Sequence, residues 1–230
     1  MFDLHGFGPA LIEGTWMTIR LSLASVALGL LLGLLGASAK ISNSAALRGV
    51  GGFYTSVVRG VPETLWVLMA YYGTTSIMNW LGSHFGNPYL TLSPFAAGTI
   101  ALALCFGAYA TEVFRGALLS IPPGQREAGL ALGMSRLRIF WRITMPQLWR
   151  VALPGLGNLY LILLKDTALV SLISLEEIMR KAQVGANATK EPFTFYFMAA
   201  LIYLGLTVII MAALHWFEYR ANRGYARTEL

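Results

Sequence analysis

The sequence predicts an all-α integral membrane protein with five transmembrane helices, and three observations carry that reading. Hydrophobic residues fill 56% of the 230 positions and charged residues only 12%, too little polar surface to clothe a water-soluble globule of this length. Several apolar runs reach about 18 residues or more, enough to cross a hydrocarbon core about 30 Å thick. The basic residues fall between those runs, so the net charge of +6 reflects membrane orientation rather than nucleic-acid binding.

The first span covers about 10–36 and holds Gly29 and Gly33 in a small-xxx-small pattern that permits close helix approach. The opening Met1-Phe2-Asp3-Leu4-His5 lacks a basic leader, so this run is expected to stay in the membrane. After Lys40 and Arg48 a second span rises over about 53–81, with Arg59, Pro62 and Glu63 in its first half. A loop at 82–93 without Lys or Arg belongs outside. The third span takes about 94–118. The mixed segment 119–150 holds five arginines and apolar residues at helical spacing, and reads as a cytoplasmic helical loop. The fourth span, about 151–174, contains Lys165 and Asp166; the fifth, about 195–217, leads to a tail with Arg220, Arg223 and Arg227.

With the N-terminus outside, the C-terminus lies in the cytoplasm together with Lys40, Arg48, the loop arginines and the tail arginines. The chain is therefore one multi-pass domain, 1–230, with a core of about 10–217. It contains no internal repeat, and five spans are too few for paired inverted repeats, so it forms half of a dimeric pathway. Cys105 has no cysteine partner, which excludes disulfides and cysteine-based metal sites. The three histidines are scattered, and neither G-x-S-x-G nor H-E-x-x-H occurs, so no catalytic constellation assembles. The nucleotide-binding G-x-x-x-x-G-K-[ST] is absent too; energy must come from another chain.

Glu127-Ala128-Gly129, then Gly133 after three residues, then Ile143-Thr144-Met145-Pro146 after nine more, closely resembles the EAA loop of bacterial ABC importer permeases. That pattern reads Glu-Ala-Ala-x3-Gly-x9-Ile-x-Leu-Pro; Gly129 and Met145 are the departures. The residues agree on their own terms. Pro122-Pro123-Gly124 stops the preceding span, a helix from about Gln125 presents Ala128 and Leu132, Gly133 turns the chain, and Pro146 marks the return to the membrane. A basic amphipathic helix held by anionic lipid explains the arginines but not this spacing. Arg59-Gly60-Val61-Pro62, Ala108 to Gly116 and Leu164 to Ser171 are similar to segments of the polar amino-acid permease group, most of all permeases of histidine, lysine, arginine and ornithine importers.

The resemblance implies a type I ABC importer permease fold and a loop that docks into an ATP-binding subunit through Glu127, Ala128, Gly133, Ile143 and Pro146. It also implies a homologous or identical second permease subunit, two ATP-binding cassette subunits that hold ATP and magnesium, and a periplasmic amino-acid-binding protein. The bilayer is the remaining partner, and no cofactor is bound by this chain. The substrate class it suggests is cationic amino acids; glutamine, glutamate or an opine is the alternative within the class, and a self-contained secondary transporter lies outside it.

Ionisable side chains at bilayer depth cost about 2.5 to 3.5 kcal/mol on insertion scales and need a protein partner or a wet cavity. Arg59 and Glu63 are four apart and can pair on a continuous helix, whereas Pro62 interrupts the ladder and favours a cavity. Glu63 and Asp166 are the candidates for the positive groups of a substrate, with Arg59, Tyr109 or backbone N–H groups for its other parts. Glu112, Arg115 and Lys165 are expected to be structural charges, and Lys165 with Asp166 can alternatively serve as counter-ions of Glu112 or Arg115.

Overall fold

A computed structural model describes residues 4–85 and 92–222, and all its regular structure is helical. Helix α1, Gly8–Lys40, packs parallel along α5, Pro94–Ser120, with Gly29 against Phe106 and Gly33 against Ala110, and this pair forms the spine of the chain. Glycine makes the closeness possible. A Cβ at Gly29 would come within 2.6 Å of the Phe106 ring, and one at Gly33 within 2.7 Å of the Ala110 Cβ. Leu21, Ala37, Leu102, Phe106, Ala110 and Phe114 fill the shared core, so the small-xxx-small pattern read from the sequence is a packing seam.

Among the described residues, four helical stretches are long and apolar enough to cross a membrane: Gly8–Lys40, Pro94–Ser120, Arg136–Ile173 and Pro192–Ala221. They match the first, third, fourth and fifth predicted spans. The second, predicted as one helix over about 53–81, differs. Its chain forms α2, Ala45–Gly60, then an extended Val61-Pro62 step, then α3, Glu63–Leu68, which runs through a π turn at Met69–Gly73 into α4, Thr74–Phe85. Proline causes the split, since it has no N–H to donate and its ring disfavours helix in the residue before it. Of the predicted outside loop, residues 86–91 lie outside the described residues, as do Arg223 and Arg227 of the tail.

The segment 119–150 folds into α6, Pro123–Ala131, and α7, Arg136–Ile139, the latter running through a π turn at Phe140–Thr144 into α8, Met145–Asp166. The fourth span thus starts earlier than predicted, continuous with the loop before it. A 3-10 stretch, Thr167–Ile173, follows Asp166. Then come α9, Ile178–Thr189, and α10, Pro192–Ala221. Most of α10 beyond its first turns is uncovered: Leu201, Leu204, Val208, Ile209 and Met211 are exposed apolar side chains, a surface for lipid or another subunit.

Glu177 fastens α9 to the bundle. It is fully buried and caps α9 by accepting from Met179 N and Arg180 N, both at 2.8 Å, while the Tyr203 hydroxyl of α10 donates to it at 3.1 Å. Beside it, Ile178 N donates to Thr18 of α1 at 3.4 Å. Burial pushes the Glu177 carboxyl up from its ordinary 4.5 to about 7, against the backbone and tyrosine donors that favour the ionised form. Because the folded chain holds this proton where the unfolded chain has released it, the contribution is fully present below about pH 4.5. It is lost as pH rises through 7. The melting temperature of the purified protein should therefore fall between pH 5.5 and 8, and Glu177→Gln should flatten that slope; an unaltered slope in the variant would show that another group is responsible.

Candidate functional site

The break at Val61-Pro62 separates two charges that an unbroken helix would have paired. Val61 (φ −111°, ψ 135°) and Pro62 (φ −55°, ψ 138°) are extended, leaving Arg59 in the last turn of α2 and Glu63 in the first turn of α3. Each charge complements the dipole of its own helix end. The helical i,i+4 pair considered from the sequence does not form; Arg59 and Glu63 meet through Tyr109 instead. The Arg59 guanidinium stands 5.1 Å from the Tyr109 ring centroid, and the Tyr109 hydroxyl donates to Glu63 Oε1 at 3.2 Å.

Tyr109 lies near the middle of α5, which puts the break near the middle of the bundle's depth. Asp166, the last residue of α8, reaches the same cleft. Glu63, Tyr109 and Asp166 line it with Cys105, Phe106 and Leu163. Glu63 and Asp166 are half-buried, and Asp166 forms no hydrogen bond or ion pair with another described residue. Two carboxylates in a partly desolvated cleft repel each other, so the cleft favours a cation. In this conformation it is closed to about the room of a water molecule. The break also frees backbone groups: Leu65 N–H is taken by Pro62 O at 3.0 Å, while the N–H groups of Glu63 and Thr64 have no helical turn before them.

The other intramembrane charges sit elsewhere. Glu112 accepts from Arg115 Nε at 2.9 Å and from Lys40 Nζ, and Lys40 also donates to Thr55 Oγ1 at 3.0 Å. This cluster ties α1, α2 and α5 together near the ends of α1 and α5. Lys165 is exposed and takes no part in it, so the counter-ions of Glu112 are Lys40 and Arg115. From sequence Lys40 looked like a loop charge; only the parallel packing of α1 on α5 brings it level with Glu112.

In the loop, Glu127 and Ala128 are exposed on α6. Gly133 adopts φ +73°, and Met134 N→Gly129 O with Gly133 N→Leu130 O, both 3.0 Å, close a Schellman turn. Ser135 then caps α7 by accepting from Arg138 N at 3.3 Å. Gly129, which departs from the family pattern, is buried where a Cβ would stand 3.0 Å from Ile139 and 3.2 Å from Ile143. Its bare backbone lets α6 press on α7, and Ile143 is part of that contact. Pro146 occupies the first turn of α8.

Comparison with known proteins agrees over nearly the whole chain. The family model for the binding-protein-dependent transport system inner membrane component matches residues 26–223. The chain is 41% identical to the octopine transport system permease protein OccQ of Rhizobium meliloti, covering 98% of this chain and 96% of that one. It is 37% identical to the histidine/lysine/arginine/ornithine transport system permease protein HisQ of Escherichia coli, over 99% and 100%. Against the Escherichia coli arginine ABC transporter permease protein ArtQ it is 40% identical, over 96% and 98%. A solved structure described as an amino acid ABC transporter with histidines superposes with a TM-score of 0.78 at 31% identity, covering 96% of this chain and 99% of that one.

Proposed function

The chain belongs to the family of binding-protein-dependent transport system inner membrane components, and from that premise we propose that it passes cationic amino acids inward through the cleft at the Pro62 break. It is a multi-pass inner-membrane permease subunit of an amino-acid ABC importer. ATP hydrolysis belongs to a separate nucleotide-binding subunit. The finer assembly is a second permease chain, two ATP-binding subunits with their ATP and magnesium, and a periplasmic binding protein that delivers the substrate.

The observation that carries the substrate reading is the convergence of Glu63 and Asp166 on one cleft beside Tyr109. An amino acid brings one ammonium and one carboxylate, and a cationic one adds a second positive group. The two acidic side chains receive the positive ends; the freed N–H groups of Glu63 and Thr64, with Arg59 alongside, receive the carboxylate. Relatedness to the octopine permease at 41% identity favours a second reading, an opine such as octopine, on which the same groups act. In both readings Glu112 and Arg115 hold helices together, and Lys165 serves structure.

The acidic pair is tested in reconstituted vesicles holding the assembled transporter. Losing one charge-assisted hydrogen bond costs about 1.5 to 3 kcal/mol, or roughly ten- to a hundred-fold in apparent affinity. Glu63→Gln and Asp166→Asn should weaken arginine uptake by about that factor and glutamine uptake much less, with assembly and basal ATPase activity intact. Equal losses for both substrates would assign these residues to structure. Octopine uptake exceeding arginine uptake in the unaltered transporter would select the second reading.

Residues 119–150 are proposed as the coupling loop, docking on the ATPase through the exposed Glu127 and Ala128, with Gly133 and Ile143 fixing the angle between α6 and α7 and Pro146 the return to the bundle. Proline cannot adopt the positive φ of Gly133. Gly133→Pro should insert and assemble yet lose substrate-stimulated ATP hydrolysis; unaltered stimulation would remove the loop from the coupling path.

The proposed orientation puts the N-terminus in the periplasm and the C-terminus in the cytoplasm, with the turn at Lys190 outside and the loop at Ser135 inside. In a Cys105→Ala background, a cysteine placed at Lys190 should react with an impermeant maleimide in intact cells and one at Ser135 should not. The reverse pattern would invert the topology.

A further inference from the structure

In an α-helix the carbonyl of residue i receives the N–H of residue i+4. For Val58 that donor is residue 62, which is Pro62 and has none. Val58 is buried in a small cluster with Cys105 and Ala108, where an unmatched carbonyl carries a desolvation cost. The indole Nε1–H of Trp66 donates to Val58 O at 3.1 Å. Trp66 lies on α3, beyond the break, and its ring packs on the same cluster between α2 and α5.

We infer that Trp66 is a positioning residue for the substrate site: its indole N–H replaces the backbone donor that Pro62 lacks and clamps α2 to α3, holding Arg59 and Glu63 in register on either side of Tyr109. This inference rests on the site proposed at the break. The other ties across the break are the Arg59 contact with the Tyr109 ring and the Tyr109 hydrogen bond to Glu63. Both employ groups that a zwitterionic substrate would engage. The Trp66 bond involves an uncharged carbonyl and an uncharged indole, so it persists while the charged contacts exchange with substrate. It supplies a fixed hinge about which the closed cleft can open.

Two readouts on the assembled transporter separate the clamp from the site. Spin labels on cysteines placed at Phe53 of α2 and Ile77 of α4, both exposed, with the buried Cys105 left in place, report the angle between the half-helices as a distance distribution. Arginine uptake in proteoliposomes reports KM and kcat. Replacing Trp66 by benzothienylalanine, which keeps the ring shape and removes only the N–H, should broaden the distribution. It should raise KM about three- to ten-fold with little change in kcat, the size expected for one hydrogen bond. Trp66→Phe should do the same. In a Pro62→Ala background, where residue 62 can itself donate to Val58, the benzothienylalanine exchange should change neither reading. An unaltered distribution in the Pro62 protein would overturn the clamp. A broadened distribution with unchanged KM would uphold the clamp and refute the substrate site at the break.

Discussion

Every polar group of the backbone must find a partner where water is scarce, and the organisation of this chain around Pro62 follows from that constraint. A proline at the middle of the bundle's depth removes one donor and forces an extended step. The chain does not straighten over the gap; it divides the span, matches the Val58 carbonyl with an indole from the far side, and places a charge of the suitable sign at each new helix end. Free backbone groups and two carboxylates thereby gather at one cleft, a site formed because the secondary structure fails there.

That failure is tolerable because the surroundings are rigid. The glycines of α1 bring it onto α5 closely enough that Phe106 and Ala110 sit against its backbone, and close packing of this kind transmits displacement rather than absorbing it. Helix α5 carries Tyr109 at its middle and Glu112 one turn later, so the same helix braces the cleft and anchors the Lys40 cluster. The cleft and the Lys40 cluster therefore share one rigid helix. The loop that follows α5 continues the path: α6 presses on α7 through Gly129, and α7 runs without a break into α8, whose last residue is Asp166. Helix α6 thus touches, through Gly129, a helical run that ends at one wall of the cleft.

The loop was legible from the sequence almost residue by residue. Its turn is made by local chemistry: a glycine at positive φ, a serine cap, and prolines at helix starts. Such signals act over four or five residues and need no tertiary context. The spans were legible for a similar reason, since twenty apolar residues in a row have few fates. The second span reads as one stretch in the sequence because hydropathy averages over a proline, whereas the structure divides it into short helices at Val61-Pro62. Lys40, Trp66 and Glu177 were not found as partners. Each makes its decisive contact with a group on another helix or across the break, and the one available clue, a carbonyl four residues before a proline, states a need without naming the donor.

Composition, periodicity and short-range motifs determined by themselves that the chain is a helical membrane protein, where its loop turns, and which buried charges demand an explanation, because those properties are fixed by transfer free energies and by backbone chemistry within a few residues. Only the tertiary structure decided which charge answers which. The pairing of Glu112 with Lys40, the bridging of Arg59 and Glu63 by Tyr109, and the meeting of Glu63 with Asp166 depend on helices being set side by side. That depends on the glycine seam between α1 and α5 and on the angle at Pro62; the sequence marks both places, but it names neither the partner helix nor the angle.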